Sequence, residues 1–383
     1  MPLGQREACL SFAIGDNIYI GGGSENKQMY MFNTITSKWT RKADLPATTT
    51  ERSFGNGFAI GNKGYICFGQ DGGQANVKDD LWQYDTATDA WTQMASLPGP
   101  KRDAAFSFVV GGKAYVGGGI SASAIPLDNF YSYDPATNTW KELNTLPTMA
   151  GTSFAAAFSI NGVGYLTTGA INNTDEFATL YAYNAANDSW STKASFTGGA
   201  REAATAFSLG GKGYVGLGFS NSQTDPGYTD FYAYDPVTDS WSAAPSFAGT
   251  KRGFATATST GNAAFVAGGW DFSTTFSNDL WKFTPPLSVS TSTTNRATFT
   301  LSPNPAHGIV TLHATNLPQG EVSIAVSDVV GRIVYASRVR SESLDGFTLD
   351  ASAIGMQNGV YFVRITSPGF VSSLPTVRLV IAR

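Results

Sequence analysis

The chain has 383 residues, 42 of them Gly, with 14% charged and 13% aromatic side chains. That is too aromatic and too poor in charge for a disordered chain or a coiled coil. The formal net charge is −4, and no basic tract interleaves with aromatics, which argues against a nucleic-acid partner. No apolar run approaches the roughly 18 residues that span a bilayer. The first residues have no signal-peptide pattern, and Cys9 and Cys67 are too few for a disulfide framework.

Five tryptophans, Trp39, Trp91, Trp140, Trp190 and Trp241, fall 52, 49, 50 and 51 residues apart, a period that points to a propeller array. Each belongs to one cassette. A strand such as Phe12-Ala13-Ile14 turns at Gly15 into Tyr19-Ile20. The aromatic recurs as Tyr19, Tyr65, Tyr115, Tyr165, Tyr214 and Phe265, followed four residues on by Gly23, Gly69, Gly119, Gly169, Gly218 and Gly269. After a variable loop comes a third strand with aromatics at strand period, such as Phe231-Tyr232-Ala233-Tyr234, and a tight turn leads to the Trp strand. The fixed Gly is expected to adopt a backbone shape closed to other residues, or to let a neighbouring unit approach. Residues 1–284 show no helical periodicity, so the expected fold is all-β, with six such units packed face to face.

An Arg opening the inner strand, the Tyr before the Gly, the Tyr-Asp turn and the Trp together resemble the kelch motif, in six copies over residues 1–284. The full Gly doublet stands only at Gly22-Gly23, Gly118-Gly119 and Gly268-Gly269. The resemblance implies a six-bladed kelch-type β-propeller. Some kelch propellers are copper radical oxidases, which need two His, two Tyr and a Cys. Here both histidines, His307 and His313, lie beyond residue 284. The propeller therefore has no imidazole for a transition metal or for a Ser-His-Asp arrangement. No metal, no cofactor and no catalytic residue is expected. The sixth unit ends at Leu280-Trp281-Lys282-Phe283 with no Trp strand after it, while Pro2 stands four before Arg6 as Pro98 stands four before Arg102. The expectation is that Met1 is preceded by a segment carrying both that missing strand and a signal peptide.

Composition breaks near residue 285. All eight Trp and all twelve Lys lie before residue 283, and 285–298 reads as a Ser/Thr-rich linker. Residues 299–383 read as a small Ig-like β-sandwich of short strands. Within it stand Ser302-Pro303-Asn304-Pro305, Asp328-Val329-Val330-Gly331-Arg332, Gly359-Val360-Tyr361 and Val377-Arg378-Leu379-Val380-Ile381. In order and spacing these are similar to the type A C-terminal sorting domain of the type IX secretion system of Bacteroidetes, with Arg378 where Lys is commoner. The resemblance implies the type IX machinery as a partner, passage through the periplasm, and a secreted or outer-membrane surface location.

Two sets of residues are candidates for ligand binding. The opening Arg recurs as Arg6, Arg52, Arg102, Arg201 and Arg252, with Thr152 in the fourth unit. A ring of guanidiniums at a channel mouth can hold a carboxylate or sulfate. The competing reading pairs each with an acid in its own blade: Asp80, Asp230 and Asp279 precede the third strand in units two, five and six, and unit four lacks both partners. Trp270 directly follows Gly268-Gly269 and reads as a loop platform for a sugar or a partner protein. Gln70-Asp71-Gly72-Gly73-Gln74 reads as a turn, and Cys9 as a buried free thiol. The sequence thus favours an exported, non-catalytic propeller that binds a glycan or protein. The alternative is a metal-free enzyme on an acidic sugar, by analogy with sialic acid mutarotases of the six-bladed kelch type; a third reading is an adhesin.

Overall fold

Alternating apolar residues bounded by Gly, Asn and Asp turns dictate short antiparallel strands, and the computed structural model is built almost wholly of them. It describes all residues but 1, 3, 25, 47–50, 149–150, 173, 221–226, 262, 272–275, 285–297, 316–319, 367–376 and 383. Most of the linker read at 285–298 lies outside the described residues. Among the described residues of the first 284, one short 3-10 turn, Gln74–Asn76, interrupts the strands, starting at the last residue of the segment read as a turn. Two compact units form, Met1–Leu287 and Ser288–Arg383.

In the first unit, among the described residues, six main antiparallel sheets follow one another, besides a small sheet of Thr152–Ser153, Ala170–Ile171 and Asp175–Glu176. The first runs Cys9–Ile14, Asn17–Gly22, Met29–Asn33 and Lys38–Lys42. Four more four-stranded sheets begin at Asn56–Ile60, Phe106–Val110, Ala156–Ile160 and Thr205–Leu209. The sixth has three strands among the described residues, Thr256–Ser259, Ala264–Ala267 and Leu280–Phe283. The first strands of successive sheets touch in a closed cycle, the sixth against the first.

A ring of backbone hydrogen bonds sits just before these first strands. The amide of Phe54 donates to the carbonyl of Ala8, Ala104 to Phe54, Phe154 to Ala104, Ala203 to Phe154, Phe254 to Ala203 and Ala8 to Phe254, at 2.9–3.2 Å. All six residues lie at φ 50–55°, a region that costs an L-residue about 1–2 kcal/mol. Only that backbone shape turns each amide tangentially toward its neighbour, so the ring holds the strain in place. Ala and Phe alternate around it. Phe54, Phe154 and Phe254 meet edge to face with centroids 5.3–5.8 Å apart and close the axis. Beyond this plug the channel is lined by small side chains, including Ala105, Ser107, Ala157, Ser159, Ala206 and Ser208.

Farther out, sheets are joined by a repeated contact. In the first five sheets the fourth-strand Trp packs on the third-strand aromatic, with centroids 4.9–5.2 Å apart. The Trp indole donates across to the preceding sheet: Trp91 to Ala43 O, Trp140 to Ala95 O and Trp241 to Ala194 O. In return the amides of Ala43, Ala95, Asn144 and Ala194 donate to the turn residues Asp89, Asn138, Asp188 and Asp239 of the next sheet. The tyrosines Tyr84, Tyr133, Tyr183 and Tyr234 donate to those same four side chains.

The irregular Gly doublet now has a physical reason. Its first position sits at φ 59–66°, reachable by ordinary residues, and is occupied by Phe68, Thr168 and Leu217 in three sheets. Its second position lies at φ 82–104°, where only Gly is comfortable. A Cβ on Gly119 would also strike the Asp103 carbonyl.

The second unit packs two sheets around one core. One holds Thr298–Ser302, Ile309–Thr315 and Phe347–Asp350; the other runs in the order Ile333–Arg340, Glu321–Asp328, Gly359–Thr366, Val377–Ile381. Leu301, Val310 and Leu312 from the first meet Ile324, Val326, Val363 and Leu379 from the second. The motif residues hold this frame. Asn304, between Pro303 and Pro305, donates to Arg378 O and accepts from the Val380 amide. Asp328 accepts from the amides of Val330 and Arg332 around Gly331, which sits at φ 84°. The Tyr361 hydroxyl, two residues past Gly359, donates to Gln357 O and accepts from the Gln357 amide.

Phe154→Ala opens the triangular plug on one side. It should destabilise the first unit by about 2–4 kcal/mol, read as a lowered thermal midpoint. Phe154→Leu, which keeps most of the volume, should lose less than half as much.

Candidate functional site

The five arginines are not an open ring. Arg6, Arg52, Arg102 and Arg201 have no exposed surface and Arg252 keeps 2%. Arg52 pairs with Asp80 through two hydrogen bonds, Arg201 with Asp230 and Arg252 with Asp279. Each pair lies within one sheet, which favours the architectural reading over the anion-binding one. Arg6, Arg102, Arg201 and Arg252 also donate to the carbonyl sixteen residues on, at Gly22, Gly118, Leu217 and Gly268. That bond ties the start of the first strand to the end of the second. At the acid position sheets one and three carry Gln28 and Asn129. There the Arg6 Nε and Nη2 and the Arg102 Nη2 are buried without a hydrogen-bond partner. Burial lowers the pKa of both, Arg102 to about 10. Arg102 instead lies over the ring of Tyr131, 5.5 Å from its centroid.

The residue after each arginine, and after Thr152, was not singled out by sequence reasoning; it stands at a loop root, directly before the Ala or Phe of the axial ring. Around the ring these residues are Glu7, Ser53, Asp103, Ser153, Glu202 and Gly253. Acids therefore occupy sheets one, three and five, the sheets whose next residue is Ala rather than Phe. Backbone bonds fix them at the loop roots: Ser24 N to Glu7 O, Ile120 with Asp103 in both directions, and Phe219 with Glu202 in both directions. All three carboxyls are pushed upward by burial, Asp103 to about 6 and Glu202 to about 7, the latter helped by Glu176. Asp103 is 3% exposed and accepts from the Gln74 side chain. Glu7 accepts from Ser24 at 3.4 Å, its other oxygen is buried without a partner, and Glu51 adds to its upward shift. This end is thus acidic, beside the Phe plug. A carboxyl that titrates near neutrality can give or take a proton, and ionised ones can accept sugar hydroxyls or face an ammonium.

Trp270 belongs to the same end, but it is not an exposed platform. It is half-buried and exchanges two backbone hydrogen bonds with Gly253, at 2.9 and 3.0 Å. It occupies the register of Ile120 and Phe219, next to Asp103 and Glu202. Cys9 and Cys67 are free and buried, with the Cys9 thiol pushed up to about 12 by burial. Among the described residues no group of three or more His, Cys, Asp or Glu is arranged to hold a metal ion. His307 and His313 are exposed in the second unit.

A closed ring of antiparallel sheets with a buried Arg opening each first strand, save for Thr152, defines a kelch β-propeller, and comparison with known proteins agrees. Residues 1–166 match the KLHDC2/KLHL20/DRC7 Kelch-repeats domain, and residues 300–375 match the secretion system C-terminal sorting domain. The chain thus carries a kelch-repeat domain and a type IX C-terminal sorting domain, and the latter supports secretion or a surface location. It is 25% identical over 251 residues to the Kelch-like protein terF of Aspergillus terreus, covering 60% of this chain and 53% of that one. The chain thus spans about half the length of this relative. It is 34% identical over 112 residues to the N-acetylneuraminate epimerase of Shigella sonnei, covering 28% of this chain and 30% of the relative. A solved structure described as "Structure of YjhT" superimposes with a TM-score of 0.65 at 18% identity, covering 74% of this chain and 96% of that one. At that identity the likeness speaks for the fold alone. No helix among the described residues is long and apolar enough to cross a membrane.

Gln28→Asp should place a carboxylate where Arg6 lacks one and raise the thermal midpoint. Asp279→Asn should lower stability by about 3 kcal/mol, because it strips the partner from a buried guanidinium. Glu202 gives a pH dependence. Its folded pKa lies above that of an open chain, so the folded state binds the proton more tightly and ionisation weakens it. The penalty is absent below about pH 4.5 and complete above about pH 7. Glu202→Gln should remove this loss and leave the protein more stable than the parent at pH 8 by about 1–2 kcal/mol, with equal stability near pH 4, measured by urea denaturation.

Proposed function

We propose that this chain is an exported, six-bladed binding propeller that passes through the periplasm and takes a glycan at the loop end of its channel. The observation that carries the reading is the setting of Glu7, Asp103 and Glu202 beside the Phe54–Phe154–Phe254 plug, with Trp270 at the same loop roots. Aromatic faces stack on sugar rings, and carboxylates accept pairs of sugar hydroxyls. The five repeated guanidiniums are consumed within the sheets, so neutral or amine-bearing sugars suit this end better than anionic ones. The sorting domain supplies delivery and takes no part in ligand binding.

A second reading is supported by the matches to N-acetylneuraminate epimerases, 33–34% identical over about 110 residues. In it Glu202, with its pKa near 7, would move a proton to and from a sugar oxygen. An acidic sugar would then need a cation other than the five buried arginines. A glycan array probed with the full chain, alongside anomer exchange of N-acetylneuraminate followed by NMR, separates the two. Binding of neutral or amino sugars without accelerated exchange supports the binding module. Accelerated exchange that Glu202→Gln abolishes supports the enzyme and removes the first reading.

For any glycan found on the array, Trp270→Ala should weaken binding by tenfold or more, the loss expected of an aromatic hot spot worth about 1–3 kcal/mol. Isothermal titration checks the affinity. An unchanged affinity with a lowered melting point would make Trp270 a packing residue only.

A further inference from the structure

The residues that mark the sorting domain are occupied in holding its fold. Asn304 clamps the last strand, Asp328 and Gly331 close a hairpin, and the Tyr361 hydroxyl is bonded twice to Gln357. What the four-stranded sheet presents to solvent is mostly a different set, Arg378 being the motif residue that belongs to both. Strand register places them in rows across its outer face. Ile333, Ser327, Phe362 and Arg378 form one row, Ala336, Ala325 and Arg364 the next, Arg338, Ser323 and Thr366 a third, and Arg340 with Glu321 a fourth. Ile333 is 63% exposed and Phe362 37%, and Arg338, Arg340, Arg364 and Arg378 are all exposed. Four guanidiniums thus share one face with a single carboxylate, around an apolar pair. Past Glu321, the strand Glu321–Asp328 offers only Ser323, Ala325 and Ser327 to this face, so the face is a shallow trough with Arg338 on one side and Arg364 on the other.

We infer that this outer face is the docking surface of the sorting domain, and that its occupant is a protein surface rich in carboxylates, on the secretion machinery. The inference rests on the export reading given above. Arg and aromatic side chains are the usual anchors of protein interfaces, and the planar guanidinium grips a carboxylate through two parallel bonds. Cross-strand neighbours on one face stand about 5 Å apart and diagonal ones about 7–8 Å. One flat partner can therefore cover Phe362 while meeting Arg364 and Arg378. A second copy of the same face would oppose like charges, and the arginines and the ring lie in one plane rather than on a protruding tip that could enter lipid.

The test uses the full chain expressed in a bacterium that carries the type IX system. Arg338→Glu with Arg364→Glu should cut the exported amount at least tenfold, with precursor retained in the cell and the melting temperature of the purified protein unchanged. Arg338→Lys with Arg364→Lys should keep most of the export. Deletion of residues 299–383 is the control. If the deletion blocks export but the double Glu variant exports normally, the docking surface is wrong and the export reading stands. If the deletion exports normally, both fall. Should the double Glu variant fail to fold, co-precipitation of the intact wild-type chain with detergent-solubilised machinery decides the matter. Capture that falls with added salt, and is lost in Phe362→Ser, supports the surface. Capture insensitive to both, or wild-type binding to vesicles of anionic lipid without the machinery, overturns it.

Discussion

Six tangential backbone hydrogen bonds at Ala8, Phe54, Ala104, Phe154, Ala203 and Phe254 are the constraint on which the first unit depends. Each needs its residue in the left-handed region, and a lone L-residue there is unfavourable. The set is complete only when all six sheets are in place, since each amide is satisfied by a neighbouring sheet and the bond from Ala8 to Phe254 joins the first sheet to the last. Closure is therefore cooperative. The carbonyl-capping arginines follow the same logic one step outward: each fixes the distance between the start of its first strand and the Gly turn that ends the second.

This division of labour decides where function can sit. Guanidiniums, Tyr–Trp stacks and turn aspartates are all committed to joining strand to strand and sheet to sheet. The channel behind the plug is lined by Ala105, Ser107, Ala157, Ser159, Ala206 and Ser208 beside rings such as Phe108, Phe158 and Phe207, with no charged side chain among the described lining residues. The position after the arginine joins no sheet to its neighbour through its side chain in this repeated way: its backbone is bonded at the loop root, and the Glu7 and Asp103 carboxyls accept from the loop residues Ser24 and Gln74. It differs from sheet to sheet, and in three sheets it holds a carboxyl whose pKa burial raises.

Much of this was legible in the sequence because it repeats. The period of about 50 residues, the Tyr and Gly four apart and the Trp gave strands, their order and their partners. The Asp80, Asp230 and Asp279 pairings could be read from the shared loss of Arg and acid in the fourth unit. The acidic end could not, because it is written in a doubled period. Arg6-Glu7-Ala8, Arg102-Asp103-Ala104 and Arg201-Glu202-Ala203 alternate with Arg52-Ser53-Phe54, Thr152-Ser153-Phe154 and Arg252-Gly253-Phe254. Aligning all six units together averages that signal away. Trp270 misled for a related reason: after a Gly pair it reads as a loop residue, yet its backbone continues the ladder to Gly253. Pro245 was also overlooked. It stands four after Trp241, where Ala43, Ala95, Asn144 and Ala194 use an amide to reach the next sheet's turn, and Pro has no amide to offer. The next sheet, the sixth, is the one whose described strands include no third-to-fourth turn.

The alternation of Ala and Phe also limits how such a protein can change size. Three rings fill the axis of this hexagon because each is flanked by two methyl groups. Duplicating one sheet would set two phenylalanines side by side and crowd the plug, or two alanines and leave a hole. Only gain or loss of two adjacent sheets, about a hundred residues, preserves the pattern. The heritable module of this propeller is then the pair of blades rather than the single kelch repeat. An acid at one loop root and a small residue at the next travel together as a unit.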